Sequence, residues 1–158
     1  MTASSRASDR NDGRAPKTSN GEANLELRIC IDVDDLEKGI DFYSRAFGLS
    51  LTRRFDSSWA ELAGARLPID LLAKPPGSLP TTGSSPVRNY ARHWTPVHID
   101  LVVDDVETAV ARAVSAGATL EHEVQKHAWG LLAILADPFG HGFCLLQFVG
   151  HGYGEVAL

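Results

Sequence analysis

Two stretches of this chain repeat each other 70 residues apart, and that constrains the fold more than any single motif. Arg28-Ile29-Cys30-Ile31-Asp32-Val33-Asp34-Asp35-Leu36-Glu37 aligns without a gap on His98-Ile99-Asp100-Leu101-Val102-Val103-Asp104-Asp105-Val106-Glu107. Trp59-Ala60-Glu61-Leu62-Ala63 and Trp129-Gly130-Leu131-Leu132-Ala133 keep the same offset. A repeat of this length means two copies of one supersecondary unit, each with a sheet face too large to bury alone.

Each copy reads as βαβββ. From Leu25 to Val33 apolar residues alternate with Glu26, Arg28, Cys30 and Asp32, the period of a half-buried strand. Asp34-Asp35-Leu36-Glu37 then opens a helix, with Asp34, Asp35 and their repeats Asp104 and Asp105 read as helix caps rather than as catalytic acids. Leu36, Ile40, Tyr43 and Phe47 recur at helical spacing up to Gly48. Three short strands follow at 49–55, 59–63 and 67–73. In the second copy Val106, Val110, Ala113 and Val114 form the helical stripe, Gly117 ends it, and strands are expected at 118–126, 129–136 and 142–149. The fold class is therefore α+β: two βαβββ modules, about 24–74 and 97–150, forming a cupped, mostly antiparallel sheet around a cavity.

What surrounds the modules is polar. Residues 1–23 carry Ser, Asn, Gly and charge with no large apolar side chain after Met1, so a flexible tail is expected. Residues 151–158 read as a C-terminal tail. The linker, 75–96, is rich in proline and too long to be structureless without a role, as a lid or binding loop would have. A formal charge of -5 argues against nucleic-acid partners and anionic membrane surfaces. There is neither an apolar run of about 18 residues nor an apolar leader, so no membrane span and no signal peptide are expected. Cys30 and Cys144 sit in separate apolar runs without a CxxC or Cys/His cluster, which suits reduced thiols in a cytoplasmic protein.

The duplicated unit, the Val33-Asp34-Asp35-Leu36-Glu37 run continuing to Phe42-Tyr43, and the closing Asp137-Pro138-Phe139-Gly140-His141-Gly142-Phe143-Cys144 together resemble the vicinal oxygen chelate superfamily. That superfamily holds glyoxalase I, fosfomycin-inactivating transferases, extradiol dioxygenases and bleomycin-resistance proteins. The Gly-x-Phe-Cys ending is most similar to its glyoxalase-like domains. The resemblance covers residues 24 to 150 and implies a small-molecule ligand and a homodimer. It does not fix the chemistry, because one scaffold hosts lyases, isomerases, oxygenases and plain binders.

In metal-using members, side chains from the first and last strand of each module hold a divalent ion. The matching positions here are Arg28, Asp70, His98 and Cys144. Two readings follow. In one, His98, Asp70 and Cys144 form an unusual three-ligand metal site, for zinc, serving a lyase, isomerase or dioxygenase with His98 as base or ligand. In the other, Arg28 pairs with Asp70 and its charge replaces the metal, because a guanidinium has no lone pair to donate. The pocket then needs no cofactor and binds its ligand through Arg28, Asp70, His98, Trp94, Trp129 and Cys144, as a bleomycin-resistance type binder would. An intermediate case keeps catalysis without metal, with Arg28 holding a carboxylate or enolate oxygen.

The remaining candidates read more plainly. His93 and Trp94 line the cavity mouth or anchor the linker, His127 is a surface histidine near a turn or else faces the pocket, and His141 is a solvent-exposed turn residue or else takes a catalytic role. Trp59 and Trp129 pack as core or cavity wall. Cys144 has no base or helix end nearby to make it a nucleophile.

Overall fold

A computed structural model of the chain describes residues 27–83 and 86–157. The expected flexible tail, 1–23, lies outside the described residues. Module one comprises β1 (Ile29–Val33), α1 (Leu36–Phe47), β2 (Ser50–Phe55), β3 (Trp59–Ala63) and β4 (Ile69–Ala73). Module two comprises β5 (Ile99–Val102), α2 (Val106–Ala116), β6 (Thr119–Leu120), β7 (Gln125–His127), β8 (Gly130–Ala136) and β9 (Gly142–Phe148). The strands run β1-β4-β3-β2 in one sheet and β5-β9-β8-β6 in the other, with β7 also paired to β8. The first and last strand of each module are parallel and every other pairing is antiparallel. This is the α+β architecture of two βαβββ-type modules.

Several local expectations are refined. The first strand starts at Ile29, and Leu27 and Arg28 precede it; Leu25 and Glu26 lie outside the described residues. The strand expected over 118–126 is split into β6 and β7 around the polar Glu121-His122-Glu123. Only the second Asp of each pair caps its helix. Asp35 accepts from the Lys38 amide at 3.1 Å and Asp105 from the Thr108 amide at 3.0 Å, each satisfying an orphan N–H of its helix's first turn. Asp34 and Asp104 stand one residue too early to reach an orphan N–H. The segment read as a C-terminal tail carries a 3-10 turn, Gly152–Glu155, whose Tyr153 packs on Trp129 and Phe148.

Each helix covers one face of its own sheet. Gly39 lies in the middle of α1, where glycine costs about 1 kcal/mol relative to alanine. A Cβ there would stand 3.2 Å from both Leu71 and Val33, so the missing side chain is what lets the helix approach the sheet. The two helices also pack on each other. Arg45 donates to the Ser115 carbonyl at 2.9 Å and Arg112 to the Ala46 carbonyl at 2.7 Å. Each arginine thus satisfies an orphan carbonyl at the other helix's C-terminal end, where the macrodipole favours a cation. The core is continuous across the modules, from Val33, Leu62 and Leu71 through Phe42 to Ala113, Leu135 and Leu145.

Candidate functional site

Because strand side chains alternate, residues whose neighbours pack under the helices point to the opposite, open face. On module one the parallel and antiparallel registers align Cys30, Asp70, Glu61 and Arg53 in one row across all four strands. Arg28, two residues before Cys30, reaches over this row. Its Nε donates to Asp70 at 2.8 Å, and its Nη2 donates to Asp70 at 2.7 Å and to Glu61 at 2.5 Å. Asp70 and Glu61 are buried, and Thr52 donates to Glu61 at 2.8 Å while Arg53 stands 3.6 Å away. The two carboxylates raise the guanidinium pKa, and Arg28, then Thr52, holds Glu61 below the ordinary carboxylate range. The Arg28–Asp70 pair anticipated from the strand positions is present, and Glu61 is a third member. Its legible signal was its place on the same face of the neighbouring strand.

Module two uses the same positions with different chemistry. Asp100 stands across from Cys144 on the parallel neighbour, as Cys30 stands across from Asp70. His98 takes the place of Arg28. His98 Nε2 lies 3.1 Å from the Asp100 carboxylate, and the ligand atoms of His98, Asp100 and Cys144 all fall within 4.8 Å of one another. Burial, and after it the charge and hydrogen bond of Asp100, pushes the Cys144 thiol up to about 12. Cys144 is therefore a protonated thiol at neutral pH, not a nucleophile.

Asp100 is the residue that sequence reasoning missed. The alternation His98, Ile99, Asp100 places it on the same face as His98, and that signal was available. Among the described residues, His98 and Cys144 come together with Asp100 and not with Asp70, which is engaged by Arg28 on the other module.

The remaining candidates are dispersed. Trp94 packs at a tilt against His98 with ring centroids 4.7 Å apart, under the Arg92 guanidinium 5.4 Å from its ring. It lies directly on Gly142, where a Cβ would come within 2.0 Å of the indole, so that glycine is a seat for the ring. Trp129 is at the far end of module two, stacked on His127 and touching Phe148 and Tyr153. His127, read as a surface residue, has its Nε2 buried by this stack and without a hydrogen-bond partner. His141 is not a free turn residue: it is part-buried and bonded on both ring nitrogens, because the turn folds back against β1.

Between the first strands of the two modules lies a cavity of about 420 Å³, with Ile29, Ile69, Ile99, Leu101 and Phe143 on its wall and Cys30, His93, His98 and His141 at its polar side. Of the sequence-named binding residues, His98 lines it.

The sequence pattern of the glyoxalase-like domain matches residues 28–146. This chain belongs to the glyoxalase-like domain family. The glyoxalase-like chain is 34% identical over 118 residues to an uncharacterized protein of Mycobacterium tuberculosis, covering 73% of this chain and 69% of that one. An uncharacterized protein of Mycobacterium bovis is also 34% identical, over 78% of its own length. Among solved structures, the genomically encoded fosfomycin resistance protein FosX of Listeria monocytogenes superposes with a TM-score of 0.65 at 17% identity, over 86% of this chain and all 100% of that one. A glyoxalase/bleomycin resistance protein/dioxygenase family enzyme of Burkholderia phytofirmans gives 0.60 at 18% identity, over 77% and 97%. At such identities these structures establish the shared fold.

The metal implied by the wider superfamily can be tested against the donors. The set Arg28, Asp70, His98, Cys144 does not fit a cation, because Arg28 has no lone pair and already neutralises Asp70. The group His98, Asp100 and Cys144 has the N, O and S donor types that zinc accepts, three protein ligands being the arrangement that leaves an open position.

Proposed function

We propose that this glyoxalase-like protein binds a small organic molecule in the cavity between its modules and does so without a metal. The observation that carries this reading is the Arg28 clamp. On module one, where a chelating relative would present carboxylate or imidazole to an ion, both buried acids are spent on a guanidinium. The His98, Asp100 and Cys144 group is likewise satisfied internally, with the carboxylate accepting from its neighbours and the thiol holding its proton. The cavity wall is mainly aliphatic and aromatic, which suits a ligand bound by shape and burial with a few polar contacts.

A pairing of two chains agrees with the surface. Every residue of β2 is exposed, and Phe55, Val97 and Val102 stay open to solvent at 64%, 85% and 62%. A homodimer covering these residues, in a reduced cytoplasmic setting that leaves both cysteines free, completes the proposal.

Methyl-labelled NMR against a library of small organic compounds tests it. Binders are expected to shift Ile29, Ile69, Ile99 and Leu101. Shifts confined to other surfaces, or none from the whole library, contradict it.

A second reading has one specific support, the proximity of the His98, Asp100 and Cys144 ligand atoms. There the chain is a metal-dependent lyase, isomerase or dioxygenase, with His98 as ligand or base. When bound, the ion would supply Lewis-acid chemistry, and Cys144 would have to give up its proton to join it.

A further inference from the structure

The cavity wall is thin at one end, where His98 and Gly142 line it and the Trp94 indole stands behind both. Trp94 is not on the wall itself. Its ring is tilted against the His98 ring with centroids 4.7 Å apart, and its Cε3 and Cζ3 would lie 2.0 Å and 2.2 Å from a Cβ on Gly142. The remainder of the side chain is in water, since the residue is 46% exposed. At this end one indole stands between the cavity lining and solvent.

Gly142 opens β9 and, unlike Gly140, lies outside the left-handed region, so its backbone does not call for glycine. A glycine in a strand weakens it and often marks a close approach by another group. Here that group is Trp94, with which an alanine at this position would collide. The seat is shaped for the ring, and the ring is fastened lightly. Arg92 lies 5.4 Å over it and is held there by Glu121, to which its Nη2 donates at 2.6 Å. The His93 amide donates to the Gly140 carbonyl at 2.9 Å, but among the described residues no backbone hydrogen bond ties residues 94–97 to either sheet. The indole can therefore be trimmed or displaced without breaking a strand ladder.

We propose that Trp94 is the specificity-determining residue of this cavity, an end stop that sets how long a ligand it accepts. The inference rests on the small-molecule reading above and adds a size class to it. The favoured ligand is a compact apolar molecule that lies against Ile29, Ile99 and Leu101 and ends at His98 and Gly142. A longer one meets the indole behind those two residues. Trp94 acts from outside the wall, by holding the His98 ring in place and by filling the space that Gly142 leaves open. Removing the indole joins that space to the cavity, because the neighbours of a deleted side chain relax only partly into the gap.

Straight-chain primary alcohols from butanol to decanol, which carry no charge, measure that length in the full chain. Binding is followed through the methyl signals of Ile29, Ile99 and Leu101. In the wild type, affinity should rise about fourfold per methylene up to a chain length beyond which it stops rising. In Trp94→Ala the rise should continue to longer chains, so that the longest alcohols gain about tenfold or more over wild type while butanol binds equally. Trp94→Phe, which keeps a smaller ring in the seat, should stop at an intermediate length. A role for Trp94 in folding alone would instead weaken every chain length together. That result, the same stop in all three proteins, or no stop in the wild type overturns the end stop and keeps the small-molecule reading. Binding of no alcohol to any of the three overturns both.

Discussion

Asp100 lies directly across from Cys144 in the parallel register of β5 and β9, where its charge and hydrogen bond add to the burial that holds the thiol protonated. The corresponding pair in module one, Cys30 and Asp70, has the same two residue types on exchanged strands, with the thiol 3.9 Å from the carboxylate. Both modules thus carry an acid–thiol pair at matching strand positions with the two residue types exchanged, and two residues before it stands Arg28 in one module and His98 in the other.

Thiol reactivity follows from that pairing. Cys30 is exposed and Cys144 is buried, and burial is the largest cause holding the Cys144 thiol up at about 12. A disulfide reagent at pH 8 should therefore titrate one thiol in the folded chain and the second only after unfolding. Asp100→Asn removes the smaller cause, so it should speed Cys144 labelling by a few fold at most. Rapid labelling of both thiols in native protein would contradict this.

Acid sensitivity should come partly from the Arg28 clamp. Glu61 has its carboxyl lowered by Arg28 and Thr52, so its folded value lies below its unfolded one. Its stabilisation is fully present above the ordinary carboxylate value and is lost as pH falls through the lowered one. Glu61→Gln should flatten the acid limb of a thermal-stability profile. Arg28→Met leaves Asp70 and Glu61 buried beside each other with the exposed Arg53, 3.6 Å from Glu61, as their nearby counter-charge. Its melting temperature should fall at pH 8 and partly recover at pH 5, where one carboxyl can take a proton.

Tyr43 donates to the Asp137 carboxylate at 2.7 Å, a buried bond joining α1 to the turn before β9. Tyr43→Phe should cost about 1.5–3 kcal/mol, the range for a hydrogen bond to a charged group, read from urea unfolding. Phe139 and His141 amides keep two of the carboxylate's bonds, so the turn itself should persist.

Gly142→Ala would put a methyl within 2.0 Å of the Trp94 ring. The indole must leave its seat between Arg92 and His98, at about 1–3 kcal/mol as for overpacking in general. A red shift in Trp94 emission with little change in far-ultraviolet dichroism is the expected signature.

How far the sequence reaches is clear from particular residues. The repeat and its glycine stops were legible because strand and helix periods and αL caps are local: Gly48 and Gly117 end their helices at positive φ. The Arg28–Asp70 pair was legible because both sat at corresponding strand positions. Asp100 was overlooked, although its alternation with His98 placed it on the right face, because the superfamily's ligand positions drew attention to Asp70. The His93–His141 contact was not legible at all. It depends on a linker returning to a turn 48 residues away, and no periodicity reports that. Nor did the sequence indicate that Trp94 and Trp129 would sit at opposite ends of one module, since both are only aromatic residues flanking strands.

The measurement that bears most directly on the metal-free reading is elemental analysis of protein purified without chelators and then dialysed against excess zinc and washed. Well under one equivalent per chain, unchanged by His98→Ala, is the expected result. One tightly held equivalent per chain that His98→Ala and Asp100→Asn each abolish would contradict it and establish the histidine, aspartate and cysteine of module two as a metal centre.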